Sequence, residues 1–195
     1  MFDWEAMEQA EYSRQAQVSF VKLTERSYLT TSGTAPKRTA DPTFLAKAEA
    51  VVKLAKIISA GATAGIVIPG FKAYRPYPVQ AVWHDDEFKI WLKQPLFISE
   101  AIYEQALKQI ELSQPVDFEQ LAEGTESQII TNGPVTQVMI AELQQTVTKA
   151  GYQLAAPGRH RELYLDGLPL TNDKQVLVRI ALNVAGQQPP LSAMN

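Results

Sequence analysis

The chain has no cysteine among its 195 residues, and its charges nearly balance. Without cysteine it can have neither a disulfide framework nor a thiol nucleophile. The formal net charge of -3 leaves no basic excess to neutralise nucleic-acid phosphates or to bind an anionic membrane surface. The composition therefore argues against disulfide-stabilised scaffolds, thiol enzymes and nucleic-acid-binding proteins.

Long apolar runs are also missing. The longest candidate, residues 57–68, is interrupted by Gly61 and Gly65 and is shorter than the roughly 20 residues of a membrane span. Acidic residues stand at the N-terminus where a signal peptide would have lysine and an apolar run. We therefore expect a cytoplasmic protein with no membrane partner. We expect one domain over residues 1–186 and a disordered tail over 187–195.

The apolar periodicity predicts the order strand–helix–strand–strand twice. In the first half, about 25–97, these are a strand over 27–32, a helix from Asp41-Pro42 to about Gly61, and strands over 79–84 and 87–94. In the second half, about 117–184, they are a strand over 126–132, a helix ending at Gly151, and strands over 160–165 and 175–184. Residues 27–33 also resemble residues 127–133 position for position. We therefore predict an α+β fold, a tandem repeat with antiparallel sheets, a pseudo-twofold axis and a central ligand groove.

Three chemically active side chains alternate along the strand 160–165. His160, Glu162 and Tyr164 share one face of it, because successive side chains of a strand point to opposite sides. Leu163 and Leu165 share the other face, which should pack under the helices. We therefore expect Glu162 and Tyr164 to point away from the helices into a cleft, or else to form an ordinary solvated strand face.

The hairpin formed by strands 79–84 and 87–94 supplies further candidates. If Gln80 is the counterpart of Glu162 and Val82 that of Tyr164, the groove holds Gln80, Val82 and Trp91 as well. An alternative for Trp91 is a half-exposed strand aromatic. Trp83 falls on the apolar face of the hairpin, so it is either a core tryptophan or, with a bulge, a groove residue.

Other signatures of catalysis are weak. The two histidines, His84 and His160, lack the clustered acids of a metal site. Nucleophile-elbow, phosphate-loop and dinucleotide-binding glycine motifs are absent. The short basic clusters, Lys37-Arg38 and residues 159–161, are more typical of solvated surface than of phosphate sites. We predict no metal and no cofactor.

Four stretches resemble standalone members of the gyrase-inhibitor-like (GyrI-like) small-molecule-binding superfamily, over about residues 3–182. They are residues 74–83, residues 92–99, the most specific stretch Gly158-Arg-His-Arg-Glu-Leu-Tyr-Leu165, and residues 178–180. The resemblance implies a tandem strand–helix–strand–strand fold with a central groove and makes Glu162 its ligand-facing acid. The chain departs from the family pattern at Gln80, where an acid is common, at Val135, at residues 32–35 and over residues 166–170.

Three functions are compatible with these features. The first is a protein, monomeric or weakly dimeric, that binds a hydrophobic, planar or cationic small molecule, with Trp91 and Tyr164 as aromatic faces. The second is a hydrolase of cyclopropane-bearing natural products, an activity of some relatives, with Glu162 as general base and Tyr164 beside it. The third is an inhibitor of a protein partner, for which a charge of -3 is mild. The departures from the family pattern favour binding.

Overall fold

A computed structural model describes residues 1–184, and the predicted tail 187–195 lies outside these described residues. Their strands are β1 (Ser19–Leu23), β2 (Arg26–Thr34), β3 (Gln80–His84), β4 (Glu87–Lys93), β5 (Asp117–Leu121), β6 (Gly124–Asn132), β7 (Gln153–Leu154), β8 (Arg159–Tyr164) and β9 (Gln175–Asn183). Their α-helices are α1 (Trp4–Met7), α2 (Pro42–Ala60), α3 (Glu100–Leu107) and α4 (Gln137–Lys149), with 3-10 turns at Arg38–Ala40 and Gly61–Ala64. The predicted α+β class is confirmed.

The strands form one antiparallel sheet in the order β1-β6-β9-β8-β3-β4-β2-β5, and β7 pairs with β9. The first repeat consists of β2, α2, β3 and β4, and the second of β6, α4, β8 and β9. They meet where β3 pairs with β8, in agreement with the predicted tandem order. The sequence did not predict β1 and β5, each of which precedes one repeat and pairs with the other.

Two short links force the sheet to curl. Strand β1 lies at one end of the strand order and β2 near the other, yet only residues 24 and 25 separate them along the chain. Residues 122 and 123 join β5 to β6 in the same way. Because a two-residue link makes three Cα–Cα steps between strands and spans at most about 11 Å, the two ends of the sheet have to come together. The curled sheet therefore has an enclosed inner face and an outer face that carries the helices.

Helix α2 begins and ends where its sequence predicts. The Asp41 carboxylate accepts a hydrogen bond from the backbone N–H of Thr43, and Pro42 occupies the first helical position. The helix ends at Gly61, whose φ of 54° few other residues adopt without strain. Its buried residues are Phe44, Ala48, Ala50, Val51, Leu54, Ala55 and Ile58. This apolar stripe covers the outer face of the first repeat and supplies much of the core.

The inner face carries buried charges. The guanidinium of Arg161 lies 3.0 Å from Glu123 and 3.0 Å from Glu126, and it stacks on Trp91 at 4.2 Å. Arg179 faces Arg161 on the neighbouring strand and is also buried. The prediction that residues 159–161 form a solvated cluster is therefore wrong for Arg161, because the curled sheet closes over it. We call Arg161, Arg179, Glu123 and Glu126 the inner ion cluster.

Part of the N-terminal segment, residues 1–18, covers the inner face. Lys93 Nζ lies 3.0 Å from Glu8 and 2.7 Å from Glu11, and the carbonyl of Glu11 accepts a hydrogen bond from Arg179. Tyr12 is buried among these groups. Burial and the nearby Glu11 charge raise the pKa of Tyr12 well above its ordinary value, although the positive charge of Arg179 opposes the shift. The segment therefore shields a charged interior from water.

We expect Arg161→Met to destabilise the fold by about 3–5 kcal/mol, because it removes the cation in contact with both buried carboxylates, while Arg179 remains 3.7 Å from Glu123. Denaturant unfolding of the whole chain measures this change. Arg26→Met is the matched control, since its hydrogen bonds are exposed, and it should cost less than about 1 kcal/mol. Equal effects of the two substitutions would contradict a structural role for the inner ion cluster.

Candidate functional site

Strand β8 presents His160, Glu162 and Tyr164 towards the helices. Directly opposed residues of antiparallel strands share a side, and Glu162 faces Ala81 while His160 faces Trp83. Trp83 packs on Phe44 of α2 with ring centroids 5.1 Å apart. The expectation that Glu162 and Tyr164 point away from the helices is therefore wrong.

A difference of one residue explains that error. The counterpart of Gln80 is Leu163, which pairs with it at one end of the β3–β8 register, and not Glu162. Because residues 27–33 match residues 127–133, Thr30 corresponds to Ile130. The rows of paired residues Gln80–Trp91–Thr30 and Leu163–Leu177–Ile130 then match Gln80 with Leu163. Since side chains alternate with a period of two, a shift of one residue moves a whole strand to the other face.

The predicted site residues consequently fall into two groups. Trp83 joins His160, Glu162 and Tyr164 on the outer face, as a buried core tryptophan. Gln80, Val82 and Trp91 lie on the inner face, where Gln80 contacts Arg161 at 3.4 Å and Val82 packs in a small cluster with Trp91. Trp91 is fully buried there, so the half-exposed alternative is wrong for it.

A chain of buried hydrogen bonds links three of the outer-face residues. The indole Nε1 of Trp83 donates to the Tyr164 hydroxyl at 3.0 Å, and that hydroxyl donates to Glu162 Oε2 at 3.1 Å. On the other carboxylate oxygen, Oε1, His160 Nε2 lies at 2.8 Å. Both oxygens of Glu162 are therefore held by directed contacts, and its orientation is set before any ligand arrives.

The Tyr164 phenol remains protonated near neutral pH. Burial raises the pKa of Tyr164 well above its ordinary value, and the neighbouring negative charge of Glu162 raises it further. Its proton is therefore available for the hydrogen bond to Glu162, while its oxygen accepts the indole N–H. Tyr164 acts here as a neutral donor.

Arg38 completes the cluster, and the sequence did not identify it as a site residue. Its Nη2 lies 2.6 Å from Glu162 Oε1 and 3.2 Å from His160 Nε2, and its guanidinium stacks on Trp83 at 4.3 Å. The Arg38 side chain is 24% exposed, against 1% for that of Glu162. The interpretation of Lys37-Arg38 as solvated surface is therefore wrong for Arg38. The feature of the sequence that could have drawn attention to Arg38 is its position shortly before Asp41, the N-cap of α2. We call Arg38, Trp83, His160, Glu162 and Tyr164 the Glu162 cluster.

A cleft of about 790 Å³ opens beside this cluster. It lies between the N-terminal half of α2 and the link from β8 to β9, and Tyr164 is part of its wall. Its apolar lining includes Leu45, Ala48, Val52, Val79, Leu165 and Leu168. Glu49, Arg75 and Asp166 supply charge, and Trp4 of the N-terminal segment closes one side. The cleft is therefore mostly apolar, with few polar groups.

Among residues 1–184, no group of three or more histidine and acidic side chains is arranged to hold a metal ion. No helix in this part of the chain is long and apolar enough to cross a membrane.

Comparisons with known proteins show the fold. No family model and no curated protein matches the sequence. A hydrolase from Listeria innocua superposes with a TM-score of 0.79 at 18% identity, covering 94% of this chain and 100% of that one. A second hydrolase structure from that organism gives 0.78 at 17% identity, covering 93% and 99%. EcmrR in a cryo-EM complex with DNA gives 0.54 at 14% identity, covering 92% of this chain and 62% of that one. The architecture is consistent with the GyrI-like fold.

We expect Tyr164→Phe to destabilise the protein by about 1–3 kcal/mol, because the buried indole N–H and the Glu162 carboxylate each lose a hydrogen-bond partner. Thermal and denaturant unfolding measure the loss. The matched control is Tyr152→Phe, whose side chain is exposed and which should change stability by less than about 0.5 kcal/mol. A Tyr164→Phe variant as stable as the parent would argue against the hydrogen-bond chain.

Proposed function

We propose that this protein binds a small, largely apolar molecule in the cleft beside α2, with the polar end of the molecule directed at Tyr164. One observation carries the proposal: Tyr164 belongs both to the cleft wall and to the hydrogen-bond chain that ends at Glu162. A ligand in the cleft is therefore separated from the Glu162 carboxylate by one side chain, that of Tyr164. Such a combination of apolar walls and few oriented polar groups is typical of small-molecule sites.

The dimensions of the cleft support a ligand of moderate size. A volume of about 790 Å³ falls within the range of about 300–1,000 Å³ usual for ligand pockets. Its aromatic residues Trp4, Tyr77 and Tyr164 offer ring faces and edges to a planar molecule. Its aliphatic wall on α2 favours an apolar body. The resemblance to GyrI-like proteins, which makes Glu162 the ligand-facing acid, supports the same site.

A second candidate function is hydrolysis of a strained ring, such as the cyclopropane of a DNA-alkylating natural product. The oriented Glu162 carboxylate favours it, and so does the fold shared with two Listeria innocua proteins that are named hydrolases. In this reaction Glu162 removes a proton from water while the water oxygen bonds to a ring carbon and a ring bond breaks. The electron pair of that bond passes into the conjugated system of the substrate, which then takes up the proton. Tyr164 holds the carboxylate in position.

Filling the cleft should abolish binding and leave the fold intact. The probe is N-phenyl-1-naphthylamine, a neutral aromatic amine whose fluorescence rises in apolar surroundings. We expect the parent to bind it saturably and Val52→Trp to bind it at least about tenfold more weakly, because the indole occupies the cleft. Val138→Trp, on an exposed position of α4, is the control and should bind as the parent does. Equal binding by all three proteins would locate the probe elsewhere and contradict the proposed site.

Glu162→Gln separates binding from hydrolysis. The two side chains are nearly isosteric, but the amide cannot act as a base, so a hydrolase should lose about 10²–10⁴ in rate. The assay presents parent and variant with planar apolar compounds, including cyclopropane-bearing ones, and measures bound ligand and product separately. Product formed by the parent alone supports hydrolysis. Ligand recovered unchanged from both proteins supports binding, and product formed equally by both excludes Glu162 as the base.

A further inference from the structure

The guanidinium of Arg38 occupies a position suited to a planar cation. It lies flat on Trp83 and against Glu162, at 4.3 Å from the ring centroid and 2.6 Å from the carboxylate oxygen. An aromatic face and a carboxylate are the two groups that together recognise a delocalised cation. In this protein the Arg38 side chain already contacts both groups, the Trp83 ring and the Glu162 carboxylate.

We propose that Arg38 is a specificity-determining residue that acts as an internal cation on Glu162, so that the site accepts neutral molecules and disfavours cationic ones unless Arg38 is displaced. This inference rests on the proposed function and narrows its ligand class. The property inferred is the net charge near Tyr164, where the cleft adjoins the Glu162 cluster.

Glu162 and Arg38 carry opposite formal charges and lie in contact, so together they present little net charge to a ligand. A cation entering beside them gains little from the already compensated carboxylate and is repelled by the guanidinium. A neutral molecule avoids this repulsion and keeps its apolar contacts. The low exposure of Glu162 strengthens these effects, because buried charges are poorly screened.

Arg38 is also the member of the Glu162 cluster best placed to move. Trp83, His160, Glu162 and Tyr164 project from paired central strands, whereas Arg38 lies in a 3-10 turn between β2 and α2. Its φ of 50° is in the left-handed region, which non-glycine residues rarely adopt. Its second anchor is the carbonyl of Asp85, 3.1 Å from Nη1, in the turn of the β3–β4 hairpin. A rotation of one partly exposed side chain therefore uncovers the carboxylate without moving the sheet.

The test uses benzamide and benzamidinium, which have nearly the same shape and differ in charge. Arg38→Met removes the cation and keeps an unbranched apolar chain on Trp83. Isothermal titration calorimetry at one fixed ionic strength gives the ratio of the two affinities for each protein. We expect no preference for benzamidinium in the parent and a preference of about tenfold or more in Arg38→Met. Arg38→Ala should shift the affinity ratio in the same direction as Arg38→Met. It replaces Arg38→Met if that variant does not fold.

Two controls locate the effect. The double variant Arg38→Met/Glu162→Gln should lose the preference for benzamidinium, because the carboxylate that binds the cation is gone. Arg26→Met is the matched surface variant, since Arg26 makes exposed hydrogen bonds with Thr24 and the Glu25 carbonyl and does not line the cleft. It should change the ratio less than about threefold, because exposed charges are screened by salt.

The outcomes distinguish this inference from the proposed function. A parent that already prefers benzamidinium as strongly as Arg38→Met does would overturn the role of Arg38, and so would an Arg38→Met protein with no preference. Both results concern the position between Trp83 and Glu162 that the guanidinium occupies in the parent and leaves in Arg38→Met. Failure of N-phenyl-1-naphthylamine to bind the parent would instead count against the cleft as the ligand site and would leave the measured charge preference unaffected.

Discussion

The pairing of β3 with β8 joins the two repeats and decides which side chains can meet. Its register sets Trp83 opposite His160 and Ala81 opposite Glu162, and so places the acid on the helix side of the sheet. From this follow the hydrogen bonds to Tyr164, the contact with a residue of the β2–α2 turn, and the proximity to the cleft. A register one residue away would direct Glu162 into the inner face among buried arginines. The chemistry available to this protein therefore depends on one row of backbone hydrogen bonds.

The two faces of the sheet bury different kinds of side chain, apolar ones on the outer face and charged ones on the inner face. The outer face packs apolar side chains under α2 and α4 and leaves a cleft at its edge. The inner face, closed by the curl of the sheet, buries Arg161 and Arg179 with Glu123 from the link before β6 and Glu126 from β6. Buried charges are costly unless they are paired, and the N-terminal segment completes the pairing through Glu8 and Glu11 at Lys93. That segment also supplies Trp4 to the cleft, so it contacts both faces.

The Glu162 cluster is arranged before a ligand binds. Its carboxylate has contacts on both oxygens, and its phenol has one proton acceptor and one proton donor. Such order lowers the cost of binding, because few groups have to be immobilised when a ligand arrives. The exception is Arg38, which comes from a turn and is the most exposed of the five side chains. This oriented acid and its partly exposed counter-ion are the arrangement from which the proposed charge selectivity is inferred.

The sequence by itself determined the local elements of the two repeats. The start of α2 at Asp41, the hairpin turn at Asp85-Asp86 and the repeated order of elements all follow from side chains near one another in the chain. Alternation also showed correctly that His160, Glu162 and Tyr164 share a face. Only the tertiary structure decided which face that was, because alternation is symmetric and the register depends on a strand some 80 residues away. Local sequence patterns also could not predict the exchange of β1 and β5 between the repeats or the contact between Arg38 and Glu162. Both features depend on the curled sheet, which brings distant segments of the chain together.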